Sequence, residues 1–159
     1  MILDHLLVFV SFIFGILLIS CRAEKGNINA DLPQNKIEVR DAWARPAKLG
    51  MTGGAYLTIA NGMENTDTLV SVTTNAALIT EIHQSYEKDG VSGMRPVGEL
   101  PIEARSITEL KPGGYHIMMM QLSRDLTTGD SISLRLLFSQ YGSVKLNVPV
   151  SGESQNHIN

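Results

Sequence analysis

The sequence predicts an all-β domain, built as an antiparallel sandwich or Greek-key barrel. Three observations carry that prediction. Short segments rich in Val, Ile, Thr, Leu and Tyr recur at about 10–15-residue intervals between Ile37 and Val150. Turn signals separate them: Gly53-Gly54, Asn61-Gly62, Asp89-Gly90, Pro112-Gly113-Gly114, Gly129-Asp130 and Tyr141-Gly142. No segment holds a 3.6-residue apolar period over three turns.

The elements follow in order. Ile37–Ala44 is stopped by Arg45-Pro46 and carries Trp43, the single indole, expected to fill core. Ala55–Ala60 lies between two glycine turns, and Thr68–Thr73 is dense in β-branched residues. Asn75–Leu78 has the length of one helical turn. Ile79–Tyr86 and Val91–Val97 flank Glu87-Lys88-Asp89-Gly90, read as a four-residue hairpin loop. Ser106–Leu110 and Tyr115–Leu122 sit on either side of Pro112-Gly113-Gly114. The last two strands alternate cleanly. Ile132, Leu134, Leu136 and Phe138 share one face of Ser131–Ser139, and Val144, Leu146, Val148 and Val150 share one face of Val144–Val150.

Ahead of this domain, Leu6–Ile19 reads LLVFVSFIFGILLI, the length of a signal-peptide apolar region and short of the roughly 20 residues of a membrane span. Asp4 and His5 precede it where export signals usually carry Lys or Arg. Leu18-Ile19-Ser20-Cys21 is similar to a bacterial lipobox, which makes Cys21 a candidate lipid anchor. The other readings are cleavage after Ala23, which discards Cys21, and a buried N-terminal helix. The organisation expected is a lipoprotein-type signal peptide over 1–20, a flexible polar tether over 21–36, the β domain over 37–150 and a polar tail over 151–159.

Composition excludes several functions. Lys+Arg 13 against Asp+Glu 16 leaves a net charge of −3, with no basic excess for nucleic acid. One cysteine permits no internal disulfide and no zinc knuckle. Nucleophile-elbow, Walker, dinucleotide-binding and HExxH motifs are absent, so the chain is not read as an enzyme.

What stands out is histidine together with methionine. His116 and Met118 are two apart on a strand and face one side, while Ile117 and Met119 face the core. With a four-residue loop, paired positions of the hairpin sum to 177, which sets His83 directly opposite Met94. Arg95 then points to the opposite face. Two imidazoles and two thioethers suit Cu(I), a soft monovalent ion, better than zinc, calcium or magnesium. Thioethers also escape the disulfide chemistry of oxidising compartments. Taken singly, each residue has a plainer reading: a methionine fills core gaps and a strand histidine is solvated. A blue-copper centre needs a cysteine ligand within the domain, and Cys21 precedes it.

The spacing is specific. His83 is followed by ten residues, Met94, twenty-one residues, His116, Ile117 and Met118. This resembles the signature of the PCu(A)C periplasmic copper chaperones. The resemblance extends over Asp41-Ala42-Trp43-Ala44-Arg45-Pro46, Ala55–Asn61 and Leu110–His116, and so covers most of Ile37–Val150. It implies a cupredoxin-like antiparallel β-sandwich that holds one Cu(I) through His83, Met94, His116 and Met118. It implies a periplasmic, monomeric carrier that delivers to the copper-bearing subunit of cytochrome c oxidase, with a Sco-type thiol protein as companion. Alternatives are a periplasmic copper buffer without a client and a metal-free β-sandwich binding module. The C-terminal tail offers only His157, unlike the His/Met-rich tails of some members, so a second copper site is not expected.

Overall fold

The computed structural model describes residues Leu32–Gly152. The signal peptide, Cys21 and most of the tether and polar tail lie outside the described residues. Ten strands form two sheets, and no helix occurs among the described residues. The strands are β1 (Ile37–Ala44), β2 (Gly53–Asn61), β3 (Asp67–Thr74), β4 (Ala77–Lys88), β5 (Val91–Pro96), β6 (Leu100–Ile102), β7 (Ser106–Leu110), β8 (Tyr115–Leu122), β9 (Ser131–Phe138) and β10 (Gly142–Pro149). β1, β7 and β8 span the residues that the sequence predicts. β6 was not predicted, because three residues around Pro101 give no readable alternation.

The larger sheet has the order β1-β2-β7-β8-β4-β5, the smaller β10-β9-β3-β6. β2 is long enough to serve two partners. Gly53–Ala55 pair with β8, and Leu57–Asn61 pair with β7. The inner face of the larger sheet supplies Ala55, Leu57, Ile59, Ile82, Ile117 and Met119, all buried. The smaller sheet faces them with Val72, Ile132, Leu134, Leu136, Phe138 and Val148, also buried. The expected alternation of β9 is therefore the core wall, and Met119 fills core as the strand period requires. Val144 and Leu146, on the edge strand β10, pack only partly.

Two expectations about local structure are corrected. Asn75–Leu78 is not a helical turn, because β4 already begins at Ala77. Side-chain bonds replace helical ones in the crossover: Ala76 N donates to Thr74 Oγ1 at 3.2 Å, and Ser133 N to Asn75 Oδ1 at 3.1 Å. Trp43 is buried but lies outside the core. It sits on the outer face of the larger sheet, opposite Tyr56 on β2. A bulge between Arg40 and Trp43, with Asp41 at φ 53, shifts the register and sets the indole there.

Candidate metal centre

The antiparallel pairing of β4 with β8 builds the centre. His83 lies directly opposite His116, and Glu81 directly opposite Met118. Their neighbours Ile82 and Ile117 point inward and are buried, so the core fixes the register that sends both imidazoles outward. The two rings are 6.0 Å apart between centroids and are 8 % and 6 % exposed.

The register of the β4–β5 hairpin differs from the expected one. His83 pairs with Pro96, and Met94 pairs with Ser85, so paired positions sum to 179. The turn consumes only Asp89 and Gly90, both at positive φ (53 and 75), and Lys88 already pairs with Val91. Such a two-residue turn matches the twist of the flanking strands, and Asp-Gly is its preferred dipeptide. A shift of two residues returns a side chain to the same face. Met94 therefore still shares the outer face with His83, displaced by one pleat. It is 60 % exposed on the sheet edge and lines one depression with His116, Met118, Gly54, Tyr56 and Arg45. Arg95 points to the other face, as expected, where its Nη2 donates to Gln84 Oε1 at 2.9 Å.

Aromatic and glycine residues shape the floor. Trp43 and Tyr56 stack at 4.5 Å, and the Tyr56 ring is 6.4 Å from that of His116. The Arg45 guanidinium covers both aromatic rings, 5.9 Å from Trp43 and 5.3 Å from Tyr56. Gly54 lies opposite Met118, and a Cβ there would meet the Tyr56 hydroxyl at 2.9 Å. The missing side chain thus makes room for the phenol. From the sequence Trp43 is expected in the core and Arg45 as part of the strand stop, while Tyr56 and Glu81 carry no motif of their own. Strand alternation alone puts Glu81 on the face of His83, two residues away.

The imidazoles are bonded unequally. His116 Nδ1 donates to the Gly114 carbonyl at 3.1 Å, which leaves the lone pair on Nε2. His83 Nε2 is 2.8 Å from Glu81 Oε2. His83 Nδ1 is buried and has no hydrogen-bond partner among the described residues. A buried nitrogen without a partner costs about 1–3 kcal/mol, so the site holds an unmet demand for an electron-pair acceptor. Among the described residues no group of three or more His, Cys, Asp or Glu is placed to hold a metal ion. The donor set at this depression is soft and nearly neutral, the kind that hard divalent ions bind poorly.

The β-sandwich thus carries two histidines and two methionines on one outer face of its larger sheet. The LpqE-like family model, described as "Putative lipoprotein LpqE-like", matches residues 37–150, and the chain belongs to this family. A relative named "Putative lipoprotein Lxx21020", from Leifsonia xyli subsp. xyli, is 34 % identical over 125 residues, covering 76 % of this chain and 75 % of the relative. The copper-bound PCuAC domain from PmoF2 superposes with a TM-score of 0.63 at 19 % identity, covering 76 % of this chain and 97 % of that domain. The solution structure of CuI-DR1885 from Deinococcus radiodurans superposes with a TM-score of 0.59 at 25 % identity, covering 76 % and 79 %. The all-β fold is thus that of PCuAC domains, in agreement with the resemblance read from the motif.

Proposed function

We propose that this protein is an exported copper chaperone that carries one Cu(I) between His83, Met94, His116 and Met118. The observation that carries the reading is the cross-strand His83–His116 pair, with an orphaned ring nitrogen and two thioethers on the same face. The copper-bound PmoF2 domain and CuI-DR1885 support it as structural neighbours. Four neutral donors leave the charge of the ion uncancelled, so binding is firm but reversible, as transfer requires. Coordination by soft donors leaves no position for substrate chemistry, which fits a carrier and not an oxidase.

The cargo is destined, in this reading, for the copper-bearing subunit of cytochrome c oxidase, with a Sco-type thiol protein in the same route. The lipoprotein names of the family and of the Leifsonia relative support export. Acylation of Cys21 would hold the carrier at the periplasmic membrane surface, beside a membrane client.

Anaerobic titration with Cu(I) against a chromophoric chelator tests the site. The wild type is expected to take one equivalent, and a Met94→Ala plus Met118→Ala protein to take none at the same chelator strength. Equal binding by the two proteins contradicts the assignment. Oxidase assembly in a deletion strain at low copper separates delivery from buffering: a defect supports delivery, and normal assembly supports buffering.

A further inference from the structure

Glu81 is a charged side chain beside the centre that neither the ligand set nor the core accounts for. It lies on the outer face of β4, opposite Met118, and its Oε2 is 2.8 Å from His83 Nε2. A carboxylate only accepts, so in the neutral ring the proton sits on Nε2 and the lone pair falls to Nδ1. Nδ1 is the buried atom without a partner. His116 is held the opposite way, with Nδ1 donating to the Gly114 carbonyl and Nε2 left free.

We propose that Glu81 is a positioning residue. It fixes the tautomer and ring plane of His83, so that Cu(I) is met by Nδ1 of His83 and Nε2 of His116. This inference rests on the Cu(I) reading above. An imidazole whose second nitrogen donates to a carboxylate is a more basic ligand, and its ring turns only by breaking that bond. The carboxylate also sets one negative charge beside a monovalent ion that its ligands leave uncancelled. The Glu81 side chain is 44 % exposed, so water screens that charge and orientation is the larger effect.

The experiment compares wild type, Glu81→Gln and Glu81→Leu. Glutamine keeps an acceptor for Nε2–H without the charge, and leucine removes both. Long-range proton–nitrogen spectra of the metal-free proteins are expected to show His83 as the Nε2–H tautomer in wild type and Glu81→Gln, and as a tautomer mixture in Glu81→Leu. In chelator competition, Cu(I) binding is expected to weaken about 10–100-fold in Glu81→Leu and to stay within about threefold in Glu81→Gln. Adding Cu(I) to the wild type is expected to shift the His83 Nδ1 resonance. Two results overturn the proposal: Glu81→Leu binding as tightly as wild type or tighter, or copper acting on His83 Nε2, which would make Glu81 a competitor for that nitrogen. A wild type that takes no Cu(I) refutes the copper reading instead, and the metal-free tautomer then decides the role of Glu81.

Discussion

A His83→Leu protein is expected to lose Cu(I) affinity by on the order of a hundredfold or more, while its metal-free form is at least as stable as wild type. The first effect follows, in the proposed site, from removing one of four donors. The second follows from the state of that imidazole without metal. Its Nδ1 is buried and unpartnered, a cost of about 1–3 kcal/mol that leucine does not incur. Leucine fills a similar volume, so no large cavity opens on the outer face of β4. Glu81 loses its partner but returns to water. Thermal unfolding and chelator competition on the same preparation give both values. Unchanged copper affinity would remove His83 from the ligand set. A marked loss of metal-free stability would show that the imidazole serves the fold.

The other large effect lies in the smaller sheet. Asp67→Ala is expected to destabilise the domain by ~3 kcal/mol, read from urea unfolding at neutral pH. The carboxylate is 4 % exposed and accepts hydrogen bonds from Thr68 N (2.7 Å), Ser139 Oγ (2.7 Å), Gln140 N (3.0 Å) and Tyr141 N (2.8 Å). It thereby ties β3 to the turn between β9 and β10. Alanine removes the one buried acceptor that these four part-buried hydrogen bonds share. Burial pushes the Asp67 carboxyl up, but the Ser139 hydroxyl and the three backbone N–H groups outweigh it and hold the group below the usual aspartate range. The ionised form therefore stabilises the fold. Its contribution is fully present above the unfolded value, about 3.9, and is lost as pH falls through the lower native value. In Asp67→Asn that acid loss should shrink. An unchanged acid dependence would mean that other carboxylates set it.

Much of this architecture is legible in the residues alone, because strands that bury one face alternate visibly. Ile132 to Phe138 on β9, and His116 to Met119 on β8, are read correctly by period two. Turn length is less legible. Glu87 and Lys88 look like loop residues, yet they extend β4 once Asp89 and Gly90 close the turn alone. Met94 nevertheless stays on the face of His83, since the error was one pleat. Trp43 was misplaced for another reason: the bulge at Asp41 moves the indole from the expected core to the outer face. The bond between Glu81 and His83, and the orphaned nitrogen behind it, are matters of side-chain geometry that spacing only hints at.

X-ray absorption at the copper edge of the Cu(I)-loaded protein tests the central claim most directly. The account predicts a monovalent edge and a first shell of two sulfur and two nitrogen scatterers, with sulfur lost on Met94→Ala plus Met118→Ala. A shell of nitrogen and oxygen alone would contradict it.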